Sequence, residues 1–263
     1  MLPMLCYNKP KGGEKMPYTT KPKMILFDVG GTLFDDGKFV AKDGLSALRK
    51  AAENPEVTDD ETLRRLWDDY TAEALGGKPK AKSGINLDLP LCASIKFVTM
   101  RAGLRFNISM AEQEEIFDRY NSTRKVIDGV PELLGTLDKL GIRAAVISNN
   151  AMSGDGLHLA IRRWIPTEKM EFCLTSADLL LPKPDKTLFE CAAAYADVDP
   201  ADCWYCGDSR VPDVDGARNG GMTPVLIDTK SEIPCEMRTD GGRGEYLTIN
   251  HWSVLAELLK ELG

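Results

Sequence analysis

Residues Met24 to Phe27 form an unbroken apolar run that stops at Asp28, and Gly30-Gly31 follow at once in the segment Phe27-Asp28-Val29-Gly30-Gly31-Thr32-Leu33. A short apolar run closed by a polar side chain and a glycine turn reads as a buried strand. In open α/β folds such a strand carries its last side chain to the C-terminal edge of the sheet, where ligands bind. Asp28 is therefore a candidate nucleophile, and the two glycines let the backbone fold closely around whatever binds. Taken alone, the segment also fits an ordinary polar turn.

Three later segments end apolar runs in the same way. Ile142 to Ile147 reads as a buried strand closed by Ser148-Asn149-Asn150, a hydroxyl and amides suited to holding an oxyanion. Leu179-Leu180-Leu181 leads into Pro182-Lys183-Pro184-Asp185, where two prolines stiffen the backbone and fix where the lysine points. Cys203 to Cys206 leads through Gly207 to Asp208, with Asp213 five residues beyond. Two acids at that spacing can face one hard cation across a loop.

In chain order, Asp28, Ser148, Lys183 and the Asp208/Asp213 pair resemble the four motifs of the haloacid dehalogenase superfamily. The phrases Asp128-Gly129-Val130-Pro131-Glu132-Leu133-Leu134 and Asp213-Val214-Asp215-Gly216-Ala217-Arg218 fit it as well. The resemblance implies a Rossmann-like core and a hydrolase in which Asp28 attacks phosphorus, giving an aspartyl-phosphate that water then hydrolyses. It assigns Ser148 and Lys183 to the transferring oxygens, with Gly31, Thr32 and Asn149 as further substrate contacts. It assigns magnesium to Asp28, Asp208, Asp213 and the backbone carbonyl of Gly30. An all-oxygen donor set suits that hard cation.

The chain departs from the resemblance at Gly30, where similar phosphatases carry a second Asp as general acid and base. Glycine keeps the carbonyl and loses the proton donor, a loss worth on the order of 100- to 10,000-fold in rate. Asp35 and Asp36 are the nearby substitutes, though neither has the required spacing. The leading expectation is a magnesium-dependent phosphatase acting on a small phosphorylated metabolite. Relatives that cleave C–P or C–halogen bonds also replace the second Asp, so Gly30 keeps those reactions open, as well as a non-catalytic phospholigand-binding protein.

At 263 residues and 43% hydrophobic composition, the chain can bury a large core. No apolar run approaches the ~20 residues of a membrane span, and an N-terminus carrying Lys9, Lys11 and Lys15 is not a signal peptide, which points to the cytoplasm. A net charge of -7 argues against nucleic acid as a partner. The seven cysteines read as reduced thiols, and Cys203 and Cys206 in one strand point to opposite faces, into the core. His158 and His251 lie far from the motifs and form no zinc cluster. Nothing in the sequence bears on oligomeric state.

Residues 1–22 lack periodicity and read as a disordered tail. Residues 23–35 and 128–263 read as the α/β core, a parallel sheet flanked by helices. Its expected helices are Val130 to Leu140, Lys186 to Ala196, Asp213 to Asn219 and Ser253 to Leu262; further strands are expected at Cys203 to Cys206, Thr223 to Ile227 and Tyr246 to Ile249. Residues 36–127 have another texture: helices without strands, marked by Thr58-x-x-Glu61 and Ser109-x-x-Glu112 as capping boxes. Leu63, Leu66, Trp67, Tyr70 and Ala74 form an apolar stripe that fits a bundle core. A basic, glycine-rich loop at Gly76 to Gly84 interrupts these helices. In similar proteins, helices at this point form a cap that closes over the site.

Overall fold

The structure, a computed structural model, describes residues 18–35, 37, 40–75 and 88–262. Its strands are β1 (Met24–Phe27), β2 (Phe34–Asp35), β3 (Lys125–Val126), β4 (Arg143–Ser148), β5 (Cys173–Thr175), β6 (Cys203–Gly207), β7 (Thr223–Ile227), β8 (Cys235–Thr239) and β9 (Glu245–Ile249). Seven of them form one sheet in the order β5-β4-β1-β6-β7-β9-β8, parallel except for β8, which runs antiparallel to β9. The chain builds outward from β1 to β4 and β5 on one side, then returns to build β6 and β7 on the other. The C-terminal ends of β4, β1 and β6 therefore meet at a topological switch point.

Helices α5 (Val130–Leu140), α6 (Gly154–Ile161), α7 (Ser176–Leu179), α8 (Lys186–Ala196), α9 (Gly216–Asn219) and α10 (Trp252–Leu262) accompany the sheet. Strand alternation sorts the core between two faces. Ile25, Phe27, Val146, Trp204 and Cys206 join the apolar residues of α5 and α10. Met24, Leu26, Ile147, Cys203 and Tyr205 join Leu188, Phe189 and Ala192 of α8. Cys203 and Cys206 thus fall on opposite faces as unpaired thiols, and burial pushes Cys203 up to about 11. Gly141 closes α5 in the left-handed region at φ 67° before β4 begins.

Between β2 and β3 lie α1 (Ala41–Ala51), α2 (Asp60–Leu75), α3 (Leu91–Arg101) and α4 (Met110–Asn121). Trp67 stacks on Phe117 at 5.0 Å and Tyr70 on Phe97 at 4.3 Å, so the aromatic stripe is bundle core. That core is continuous with the α5/α10 face of the sheet, because Leu63, Ile95, Val98 and Phe117 belong to the same buried cluster.

Several expectations change. Residues 1–22 are expected as a disordered tail, but the core already takes in Tyr18. Tyr18 is 2% exposed, stands edge-on to Trp204 at 5.2 Å, donates to the Pro224 carbonyl and accepts from the Leu247 N–H at 2.9 Å. A buried aromatic ring of that size stabilises by about 2 kcal/mol, enough to pin the segment without any repeat in its sequence. Residues 1–17, Asp36 and residues 76–87, where the sequence led to the expectation of a basic loop at Gly76 to Gly84, lie outside the described residues. The insertion is not free of strand, since β2 and β3 pair antiparallel at its root; two residues each are too few for alternation to show. Asp59, not Thr58, caps α2 by accepting from the Thr62 N–H at 2.7 Å. The Ser109/Glu112 capping box is present. A π-helical turn over Arg210–Asp215 precedes α9 where one helix was expected.

Helix α4 is fastened to α6 by a buried carboxylate. Glu114, 0% exposed, accepts from the Ser153 backbone N–H at 3.1 Å and from its hydroxyl, at the N-terminus of α6. Gly156 leaves the space it needs, for a Cβ there would stand 2.4 Å from the Glu114 carboxylate. Burial raises the Glu114 carboxyl above its ordinary range, outweighing the hydrogen bonds from Ser153. A carboxyl raised in the folded state stabilises most below its unfolded value and loses that contribution as pH rises through the folded one. Glu114→Gln does not ionise. Its unfolding free energy relative to wild type is therefore expected to shift in the variant's favour between about pH 4 and pH 7. Urea titrations at both pH values measure this, and a constant difference would refute the assignment.

Candidate active site

Asp28 leaves β1 where Phe27 is in register with Val146 of β4 and Cys206 of β6. Its N–H donates to the Cys206 carbonyl at 2.9 Å, which fixes the start of the turn. Gly31 takes the left-handed position at φ 66°. A Cβ on Gly31 would lie 2.3 Å from an Asp208 oxygen, so glycine lets the first and last motifs touch. The Gly31 N–H donates to the Phe34 carbonyl at 2.8 Å and the Thr32 N–H to the Val29 carbonyl at 3.4 Å. Thr32 is fully buried, and its carbonyl accepts from Trp252 Nε1 of α10 at 3.2 Å. Gly31 and Thr32 thus shape the turn, with both N–H groups directed into it.

Lys183 lies at the centre, 1% exposed. Its ammonium is 2.9 Å from Asp28 Oδ1, 2.6 Å from Asp213 Oδ1 and 2.8 Å from the Tyr205 hydroxyl. Burial alone would lower its pKa, but the facing Asp28 and Asp213 carboxylates hold it above the ordinary value, so it stays charged. Asn149 fixes the lysine loop: its amide oxygen accepts from the Lys183 N–H at 2.7 Å and its nitrogen donates to the Lys183 carbonyl at 3.3 Å. The Asn149 side chain, expected on substrate, gives one donor and one acceptor to the backbone of Lys183. Ser148, 2% exposed, ends β4 beside Asp28.

Asp213 is 1% exposed, and Asp208 sits at the exposed rim. The two ends of the π-helical turn are joined by Arg210, which donates to Asp215 at 2.5 Å and also pairs with Asp240 beyond β8. The turn closes inward through the Ser209 N–H, which donates to Asp213 Oδ2 at 2.8 Å. Asp28, Asp208 and Asp213 can each place one carboxylate oxygen within 4.8 Å of the others, the one such acidic cluster among the described residues. Partial loss of solvent at that rim, and then the charge of Asp28, raises the Asp208 carboxyl. Burial likewise raises Asp213 against the opposing pull of Lys183. Three carboxylates against one ammonium leave two uncompensated negative charges, and this donor set fits a divalent, oxygen-seeking cation.

The structure thus brings Asp28, Lys183, Asp208 and Asp213 together, Lys183 in contact with Asp28 and Asp213 and Asp208 within 4.8 Å of both acids, with Ser148 at the end of the adjoining strand and Gly30 in a bridge to Phe34. It places His158 on α6 and uses His251 to accept from the Ser253 N–H at 3.1 Å as a cap on α10. Asp35 is exposed on β2. Sequence reasoning missed Tyr205, whose signal was its place in an apolar strand: a buried tyrosine hydroxyl needs a polar partner.

Replacing Lys183 by Met should leave Asp28 and Asp213 facing each other in a buried site. Breaking a buried pair from one side costs about 3–5 kcal/mol. The loss is expected to be largest at neutral pH, and to shrink in acid as Asp213 takes a proton. Thermal melts of Lys183→Met across pH read both effects; a melting point equal to wild type at pH 7 would show that the ammonium does not balance these charges.

The sequence profile of the haloacid dehalogenase-like hydrolases matches residues 22–221. The chain is 32% identical over 136 residues to the haloacid dehalogenase-like hydrolase domain-containing protein 3 of Bos taurus, covering 48% of this chain and 51% of that one. It spans about half the length of the first curated relatives it matches. It is 23% identical over 210 residues to the N-acetylmuramic acid 6-phosphate phosphatase of Pseudomonas aeruginosa, covering 78% and 81%. Among solved structures, the 2-haloacid dehalogenase of Pseudomonas syringae superposes with a TM-score of 0.56 at 22% identity, covering 92% of this chain and all of that one; at that identity the likeness shows the fold. No helix among the described residues is long and apolar enough to cross a membrane. Matched by the family profile over most of its length, and carrying the family's four motif positions at one sheet edge, the chain belongs to the haloacid dehalogenase-like hydrolases.

Proposed function

We propose that the protein is a magnesium-dependent phosphatase acting on a small phosphorylated metabolite through an aspartyl-phosphate on Asp28. The observation that carries this reading is the charge of the site: Asp28, Asp208 and Asp213 cluster with a single ammonium, which pairs with Asp28 and Asp213. A phosphate dianion brought to that cluster meets net repulsion unless a cation joins it. Displacement of halide from carbon by a carboxylate needs no metal, whereas Asp208 and Asp213 beside Asp28 make an oxygen donor set for one. The relative from Pseudomonas aeruginosa, named for a sugar-phosphate phosphatase activity, supports the same choice.

Asp28, Asp208, Asp213 and the Gly30 carbonyl are the residues to hold magnesium, which when bound offsets charge on phosphate and nucleophile. Asp28 attacks phosphorus from the end of β1. Lys183 holds the Asp28 and Asp213 carboxylates apart and in place, and Ser148 offers a hydroxyl to a phosphoryl oxygen from the adjoining strand. Helices α1–α4 serve as the cap that selects substrate, with the protein working in the cytoplasm.

With Gly30 in place of an acid, the leaving oxygen departs without a positioned proton. Aryl and acyl phosphates leave as stable anions, so they are expected to react far faster than alkyl phosphates. The strained turn position is Gly31, whereas Gly30 does not take a positive φ, so its backbone accepts a side chain. Gly30→Asp is therefore expected to raise kcat/KM for an alkyl phosphate selectively, and an unchanged aryl-to-alkyl ratio would mean that another group already donates the proton.

The reading itself is tested with p-nitrophenyl phosphate. Hydrolysis should require magnesium, stop in excess chelator, and fall by at least about 1,000-fold in Asp28→Asn with the melting temperature retained. Release of chloride from 2-chloropropionate in chelator, with no phosphatase activity, would replace this reading with dehalogenation. Phosphate binding without turnover of any phosphate or phosphonate would replace it with a binding protein.

A further inference from the structure

Tyr205 is fully buried in β6, two residues before Gly207, and takes no part in the motifs. Its hydroxyl has two acceptors within reach, the Ile147 carbonyl at 2.8 Å, the residue before Ser148, and Asp213 Oδ1 at 3.3 Å, and the shorter contact takes its proton; it receives the Lys183 ammonium at 2.8 Å. A phenol has one proton to give, so a hydroxyl committed to Ile147 meets Lys183 with a lone pair. An ammonium has three protons, and the three groups around Lys183 are Asp28, Asp213 and Tyr205. The phenol therefore takes the proton that neither carboxylate holds. Burial, then the charges of Asp213 and Asp28, keeps the phenol's pKa well above its ordinary value, so it remains a neutral hydroxyl. Phe189 meets the ring edge-on at 4.9 Å and fixes its plane without touching this hydrogen bonding.

We propose that Tyr205 is a positioning residue for the reaction: its phenol anchors the Lys183 ammonium to the Ile147 carbonyl, so that the lysine, the nucleophile Asp28, Asp213 and the end of the Ser148 strand keep one fixed geometry. Tyr205→Phe keeps the ring and removes the anchor. One ammonium proton and the Ile147 carbonyl then lose their partner in a site closed to water, and the lysine is free to favour one carboxylate over the other. The kinetic part of this inference rests on the phosphatase reading; the anchoring part does not.

Two variants separate anchoring from packing. In Tyr205→Phe with p-nitrophenyl phosphate and saturating magnesium, kcat is expected to fall about tenfold to a hundredfold, with KM within about twofold of wild type. Phe189→Leu disturbs the same aromatic contact but leaves the phenol, and is expected to keep kcat within about twofold. Heteronuclear NMR of the lysine ammonium groups supplies a reading free of activity: wild type and Phe189→Leu should show a slowly exchanging Lys183 ammonium signal that Tyr205→Phe loses. Wild-type kcat with a retained ammonium signal in Tyr205→Phe would overturn the proposal, and so would an equal fall in both variants. If wild type turns over no phosphate, the phosphatase reading fails, and the ammonium signal alone decides whether Tyr205 anchors Lys183.

Discussion

The buried ammonium of Lys183 is the interaction on which the rest of the site depends. Three carboxylates within 4.8 Å of one another, two of them largely withdrawn from water, repel strongly in a medium of low dielectric. A lysine buried alone would lose its proton instead of serving as a counter-charge. Each makes the other tolerable, and the surrounding structure holds the lysine in place. Asn149 clamps its backbone, Tyr205 takes one of its protons, and Gly207 clears the approach of Asp213, since a Cβ there would lie 2.3 Å from the Asp213 carboxyl carbon. The balance remains short of positive charge, which is why the same cluster reads as a cation site.

The loop that follows Ser148 is held from two directions. From the sheet side, Ser176 accepts from the Asn150 N–H at 3.0 Å and Thr175 donates to the Met152 carbonyl at 2.8 Å. From the helical insertion, the Leu91 N–H at the start of α3 donates to the Ala151 carbonyl at 2.7 Å, and Glu114 receives Ser153. Beyond α6, Arg163 bridges to Asp118 at 2.7 Å and Glu115 at 3.2 Å of α4. The inserted helices are thereby joined to the backbone that carries Ser148 through hydrogen bonds and ion pairs as well as through a shared apolar core.

The parts of the site legible in the sequence are those in which one residue follows directly from its strand. Asp28, Ser148 and Asp208 each come just after or at the end of a buried apolar run, and Lys183 lies between two prolines. The opposite-facing cysteines follow from strand alternation in the same way. Local spacing misplaced the cap of α2, because Asp59 and Thr58 are both good capping residues and only the path of the preceding turn chooses between them. It also passed over β2 and β3, which are too short to carry a period.

By itself, the sequence determined the βα units that carry the motifs, the family and the identity of the acids and the lysine at the sheet edge, since these rest on apolar periodicity and on residues close together in the chain. Tertiary structure decided which groups those residues meet. Tyr18 bonds to Leu247 across 229 positions, Asn149 to Lys183 across 34 and Glu114 to Ser153 across 39. Contacts over such separations leave no periodic trace, because each depends on where two independently formed elements come to rest. That is why the phenol of Tyr205, an unremarked strand residue in the sequence, is found in the fold with its hydroxyl on the ammonium at the centre of the site.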